Sequence, residues 1–199
     1  ITFVASANAA IYCGAKIDFV DIDKDTFNMC PIKLKKKLTA AKEKNLLPKV
    51  IIPVHMAGQS SDAKKIHKLA KKYGIKIVED ASHSIGGKYL DTKIGSCKYS
   101  DITVFSFHPV KIITTAEGGI AITNNKKLAE KMKIFRSHGI ERDPSKFKKN
   151  KEGPWYFEQQ FLGWNYRMSD IHAALGLSQL KKIDSFVSKR NLIAKKYDT

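Results

Sequence analysis

Lys76-Ile77-Val78-Glu79-Asp80-Ala81-Ser82-His83 is a short β-branched run that ends on a carboxylate, a hydroxyl and a histidine. Its centre is apolar, as a strand covered on both faces should be, and its polar groups are saved for the far end. Immediately upstream, Asp62 to Tyr73 places Ile66, Leu69 and Ala70 on one helical face, with Asp62 as N-cap and Gly74 as terminator. A helix feeding a buried strand is half of a βαβ unit, and the same alternation recurs on both sides. Strands are expected at Lys16 to Val20, Lys49 to Val54, Ile102 to Ser106 and Gly119 to Thr123. Helices are expected at about Ser6 to Cys13, closed by Gly14, at Pro31 to Lys42 and at Lys126 to Phe135. Together they predict an α/β domain whose mostly parallel sheet is flanked by helices.

Composition agrees with a globular chain. The 199 residues are 43% hydrophobic with 12 Gly and 6 Pro, which excludes disorder, collagen and low complexity. The longest apolar runs, such as Val50-Ile51-Ile52-Pro53-Val54, fall far short of the roughly 20 residues of a membrane-spanning helix, so no membrane partner is expected. The formal charge is +17, but all except four of the basic residues are lysines. Lys64, Lys65, Lys68, Lys71 and Lys72 sit at helix-surface spacing without interleaved aromatics. Nucleic-acid sites favour guanidinium forks and stacking rings, so a solvated face is expected and no nucleic-acid partner. Cys13, Cys30 and Cys97 form neither a CxxC pair nor a zinc spacing, so a reducing, cytoplasmic setting and no metal are expected.

Residues 136 to 165 lose periodicity and collect Gly, Pro and charge, which predicts a long irregular excursion. From Ser169 a helix resumes, with Ile171, Ala174, Leu175, Leu177 and Leu180 as its apolar set. A further helix begins near Asp184 and leaves Phe186, Leu192, Ile193 and Tyr197 unmatched, as though a second domain had just begun. The chain starts at Ile1 without an initiator Met, and the expectation is a piece of a longer polypeptide.

In an open parallel sheet, ligands collect beyond the carboxyl ends of the strands. There the sequence places Asp80 and His83, then Ser106, Phe107, His108 and Lys111, then Thr114-Thr115-Ala116-Glu117-Gly118-Gly119. Asp80 can cap a turn or pair with a protonated ring nitrogen. Phe107, Val110, Ile112 and Ile113 would desolvate the Lys111 ammonium, which favours the neutral amine that Schiff-base chemistry needs. Gly118-Gly119 alone reads as a tight turn into a strand.

Three segments carry a family resemblance. They are Val78 to His83, then Phe105-Ser106-Phe107-His108-Pro109-Val110-Lys111 with the Thr114 to Gly119 run, then Gly163-Trp164-Asn165-Tyr166-Arg167-Met168-Ser169-Asp170. In order and spacing they resemble the DegT/DnrJ/EryC1/StrS family of pyridoxal-phosphate-dependent nucleotide-sugar aminotransferases, and the likeness runs from Thr2-Phe3-Val4 to Leu192-Ile193-Ala194. The His108-Pro109-Val110-Lys111 spelling is most similar to the subfamily that serves pseudaminic acid synthesis.

The resemblance implies a fold type I (aspartate aminotransferase-like) large domain over residues 1–183, with residues 184–199 opening a small C-terminal domain. It implies pyridoxal 5'-phosphate as cofactor, a nucleotide-linked 4-keto-6-deoxy sugar as acceptor, glutamate as amino donor and a homodimer with shared active sites. Lys111 would be the Schiff-base lysine and proton carrier, and Asp80 would hold the pyridine nitrogen protonated. His83 would lie near the ring, Phe3 would stack on it, and Ser106 would contact the phosphate. Asn165 would reach the cofactor of the neighbouring subunit. Arg167 and His108 would face substrate, although Arg167 can equally pair with Asp170 and Phe3 can equally be a core residue. His55 is read as a packing or interface residue. A phosphate-binding turn that relatives carry upstream of Thr2 is not in this sequence. Two rivals remain, a sugar dehydratase of the same fold, which replaces the lysine by histidine, and a non-catalytic regulatory homologue. The presence of Lys111 and Asp80 counts against both.

Overall fold

The computed structural model describes residues 2–149 and 152–198. The chain opens with α1 (Val4–Tyr12), ended by Gly14 at a left-handed φ of 73°, and then α2 (Pro31–Glu43), whose proline occupies the first turn, where a missing N–H costs nothing. After β1 (Val50–Ile51) and a single 3-10 turn (Met56–Gly58) comes α3 (Ala63–Tyr73). The Asp62 side chain caps α3 by accepting from the Lys65 amide, and Gly74 ends it in the left-handed conformation. Next are β2 (Lys76–Asp80), a small hairpin of β3 (Lys88–Tyr89) and β4 (Thr92–Lys93), β5 (Ile102–Ser106), β6 (Gly119–Ile122) and α4 (Lys126–Phe135). A ribbon of β7 (Ile140–Glu141) and β8 (Glu158–Gln159) precedes α5 (Asp170–Leu180) and α6 (Ile183–Tyr197).

The main sheet runs β1-β2-β5-β6. β1, β2 and β5 are parallel, with Val50 opposite Lys76 and Val78 opposite Ile102, while β6 returns antiparallel to β5. Leu34 and Leu38 of α2, Ile66 and Ala70 of α3, and Ile51, Ile75 and Ile77 of the strand region form one buried cluster. Sequestering side chains of that size is worth about 1.5–3 kcal/mol each. This cluster fixes β2 against α2 and α3 and so fixes where its last residue, Asp80, emerges.

The architecture matches the expected α/β class, with four differences. Lys16 to Val20 is extended but pairs with no strand among the described residues. Its Asp18 is bound instead by the Lys37 ammonium of α2 at 2.6 Å, so side chains rather than a ladder hold it. β1 is shorter than Lys49 to Val54, because Pro53 lacks an N–H; its carbonyl still accepts from the Asp80 amide at 2.9 Å. β6 lies at the sheet edge with Gly119, Ile120 and Ala121 exposed, rather than covered on both faces. The helix over residues 170–180 forms as expected, but its apolar set faces outward, Ile171 at 82% exposure and Leu177 at 63%.

The excursion over residues 136–165 is organised by carboxylates. Buried Glu158 accepts from the amides of Lys148 (2.7 Å) and Lys149 (2.8 Å), from the Tyr156 hydroxyl and from the Gln160 amide group. Among the described residues no helix is long and apolar enough to cross a membrane.

Candidate active site

Side chains alternate along a strand, so Glu79 and Asp80 leave β2 on opposite faces. Glu79 is buried and its Oε2 accepts from the hydroxyls of Ser100 (2.9 Å) and Thr103 (2.7 Å). Asp80, half-buried at the strand's end, takes donors on both oxygens: the Ser82 amide on Oδ1 at 3.1 Å and the Ser6 hydroxyl on Oδ2. Burial pushes the Asp80 carboxyl up. The hydrogen bonds from Ser6 and Ser82, with the positive character of His83, outweigh it and hold Asp80 below the usual carboxylate range. Asp80 is therefore an ionised carboxylate at neutral pH, pinned at a sheet edge and retaining lone pairs for another donor.

Ser6 lies on α1, one turn beyond Phe3, and itself accepts from the Thr2 hydroxyl at 3.2 Å. Thus α1 delivers a hydroxyl to Asp80 while Phe3, its N-cap, stands 71% exposed. Among the described residues, Phe3 therefore takes no part in the buried cluster. Ser6 was not singled out as a site residue from the sequence, because a helical serine 74 positions from its partner gives no local sign of the contact.

His83 sits in the turn that follows. The Ala81 amide donates to the Val104 carbonyl at 2.8 Å, the Ser84 amide closes back on Ala81 at 2.9 Å, and a Cβ on Gly58 would lie 3.0 Å from the His83 carbonyl. Burial lowers the His83 imidazole below its ordinary value; the Lys111 charge lowers it further, and Asp80 opposes both. β2 and β5 are paired in parallel, with Asp80 opposite Val104, so His83 and Lys111 both follow strand ends on the same side of the sheet.

Lys111 lies on the 107–118 loop between β5 and β6. The loop is closed by Phe107 N–H to Gly118 O (2.9 Å), Thr115 N–H to Phe107 O (3.0 Å) and the Thr114 hydroxyl to Phe107 O (2.9 Å). The Lys111 amide donates to His108 O at 3.0 Å, and its ammonium has no ion-pair partner among the described residues. Ile113 is buried, but Val110 is 75% exposed, so the apolar shell expected around the ammonium is incomplete. The Ser106 hydroxyl, at the end of β5, accepts from the His108 amide at 3.4 Å, while the His108 ring is exposed.

Asn165 and Arg167 lie on the segment that leads into α5. Residue 165 bridges Ser137, Trp164 N–H donates to Phe135 O at 2.8 Å, and Tyr166 N–H donates to Arg136 O at 2.9 Å. Both side chains are exposed, and Arg167 makes no ion pair with Asp170 among the described residues. His55 is 1% exposed. Its Nδ1 accepts from the Ser61 amide at 3.0 Å, its Nε2 stands 3.8 Å from Glu79, and its backbone amide donates to Asp80 O.

The strand ends offer a fixed anion at Asp80, an imidazole at His83 and, on the loop after β5, the Lys111 side chain, which has no ion-pair partner among the described residues. Such a set can bind a cationic heteroaromatic nitrogen and a carbonyl carbon together. The DegT/DnrJ/EryC1/StrS aminotransferase family matches residues 1–199. A Campylobacter jejuni relative, UDP-4-amino-4,6-dideoxy-N-acetyl-beta-L-altrosamine transaminase, is 43% identical over 198 residues, 100% of this chain and 49% of its own. Among solved structures, Helicobacter pylori PseC, an aminotransferase involved in the biosynthesis of pseudoaminic acid, has a TM-score of 0.87 at 38% identity, covering 100% of this chain and 48% of that one. The PLP-form of the putative sugar aminotransferase Spr1654 from Streptococcus pneumoniae has a TM-score of 0.84 at 31% identity, over 99% of this chain and 51% of that one. The chain spans about half the length of the curated relatives it matches. It belongs to the DegT/DnrJ/EryC1/StrS aminotransferase family, and its sheet is the fold type I large-domain sheet of that family.

Proposed function

We propose that this chain carries the cofactor-binding part of a pyridoxal-phosphate-dependent nucleotide-sugar aminotransferase, with residues 1–183 in the large domain and 184–199 opening the small one. The observation that carries the reading is Asp80, held ionised by Ser6 and Ser82, on the same sheet edge as the unpaired amine of Lys111. The residues fit the cofactor. Both Asp80 oxygens keep accepting capacity for the ring nitrogen, and no carboxylate competes for Lys111 among the described residues. Bound there, the cofactor supplies an electron sink for the pair left behind when a proton leaves the carbon that bears the amino group.

The protein's own part is binding, orientation and proton transfer. Asp80 holds the ring nitrogen in its protonated form, and Lys111 anchors the cofactor covalently. Once released, the Lys111 Nζ carries a proton to and from the reacting carbon. His83 and Phe3 border the ring, and Ser106 offers a hydroxyl to the phosphate. Exposed Asn165 and Arg167 are assigned to a neighbouring subunit's cofactor and to an anionic group of substrate, an assignment under which the working unit is a homodimer. Exposed His108 is assigned to substrate. The acceptor is a nucleotide-linked 4-keto-6-deoxy sugar and the donor glutamate, a reading supported by the C. jejuni and H. pylori relatives. Three free cysteines support a cytoplasmic setting. The test is to incubate the full-length protein with pyridoxal phosphate, glutamate and a UDP-4-keto-6-deoxy sugar. The expected result is 2-oxoglutarate formed in step with an amino sugar. Cofactor uptake without amino transfer to any keto-sugar would refute the assignment.

A further inference from the structure

The face that α5 turns inward is not its apolar one. Ile171, Leu175, Leu177 and Leu180 are exposed, while half-buried Gly176 and Gln179 meet the 107–118 loop. The Gln179 Oε1 accepts the Thr114 amide at 3.0 Å, across 65 residues of sequence. All other hydrogen bonds to residues 107–118 among the described residues come from the loop itself or from Ser106. One turn earlier, Gly176 admits the loop so closely that a Cβ there would lie 2.6 Å from Thr115 Cγ2. Thr115 is buried, and its hydroxyl donates to Glu117 O at 2.7 Å. Ahead of the helix, Met168 closes on Gly118, where a Cβ would meet its Cε at 2.7 Å.

We infer that α5 is the backstop that sets where Lys111 sits, with Gln179 as the positioning residue and Gly176 as the close contact that lets it reach Thr114. The 107–118 loop has internal turns, but Ile113 and Thr115 alone among its side chains are fully buried. One acceptor at Thr114, three residues beyond Lys111, removes the freedom of the segment to slide along the end of β5. A small residue at 176 and an acceptor at 179 explain why the helix spends its inward face on polar and small groups. This inference rests on the assignment of Lys111 as the cofactor anchor.

The experiment compares, in the full-length protein, Gln179→Leu, which removes the acceptor, with Gln179→Glu, which keeps an acceptor oxygen. In the cofactor-free state, backbone hydrogen exchange over residues 112–118 should quicken about tenfold in Gln179→Leu, the factor expected for loss of one hydrogen bond. Gln179→Glu should stay near the parent rate. With pyridoxal phosphate and borohydride, the rate of labelling at Lys111 should fall in Gln179→Leu and recover in Gln179→Glu. Gly176→Ala should disturb the same segment, and adding Thr115→Ser, which removes Cγ2 and keeps the hydroxyl, should restore it. The inference is overturned if exchange over 112–118 and labelling of Lys111 are unchanged in Gln179→Leu. A uniform rise in exchange across the molecule overturns it too, because that reports global destabilisation. If the parent itself takes no label on Lys111, the functional assignment fails, while the exchange result still decides whether Gln179 holds the loop.

Discussion

Replacing Ser6 by Ala should raise the pH at which Asp80 titrates without touching Asp80. In the parent, burial favours the neutral acid, and the hydrogen bonds from Ser6 and Ser82 reverse that preference. A hydrogen bond to an ionised group contributes about 1.5–3 kcal/mol. At 1.36 kcal/mol per pKa unit, losing the Ser6 donor should raise the Asp80 pKa by about one to two units. The sign for stability follows. A carboxylate whose pKa is depressed by folding contributes stability above its unfolded value, about 3.9, and that contribution is lost as pH falls through the folded value. Ser6→Ala should therefore cost stability at neutral pH, with the difference from the parent shrinking in acid. The assay is a 13C NMR titration of the Asp80 carboxyl in the cofactor-free full-length protein, with Ser6→Thr as a control that keeps the hydroxyl. An Asp80 titration in Ser6→Ala that coincides with the parent would refute the role given to α1.

Further outcomes follow from the same geometry. Lys111→Ala should abolish amino transfer while reversible cofactor binding, read by equilibrium dialysis, persists; retained turnover would contradict the anchor. Asn165→Ala in the full-length protein should speed cofactor loss with little change in thermal midpoint, since its side chain is exposed and makes no hydrogen bond among the described residues; equal losses in both would make it a plain loop residue. Burial, then the hydrogen bond to Asp62, pushes the Tyr89 hydroxyl up to about 12. Its contribution is whole below the unfolded value, about 10, and is lost as pH rises through the folded one. Denaturant melts should show the parent losing its advantage over Tyr89→Phe, about 1 kcal/mol at neutral pH, between those limits.

Where one segment carried its own boundaries, the sequence could be read closely. Asp62 and Gly74 bracket α3, and the β-branched centre of residues 76–80 places Asp80 at a strand end by local pattern alone. Lys111 and His83 were singled out because ligand chemistry gathers beyond strand ends, and the structure places both after paired strands. Lys16 to Val20 has strand-like composition, but pairing is a property of neighbours, and here two lysines of α2 hold Asp18 and Asp21 instead. In α5 the period revealed the helix but not the contact it makes, because Gln179 accepts from Thr114, 65 positions away, while the apolar set stays exposed. The 136–165 region follows no period because Glu158, rather than an apolar stripe, gathers its backbone. Ser6 acts on a residue 74 positions away, and only the folded chain shows that.

The central claim is that Lys111 is the covalent anchor of a pyridoxal cofactor facing Asp80. The most direct measurement is borohydride reduction of the full-length protein after incubation with pyridoxal phosphate, followed by peptide mapping. A pyridoxyl label on Lys111, lost in Lys111→Ala, is the expected result. Labelling of other lysines only, or a protein that takes no label, would contradict it.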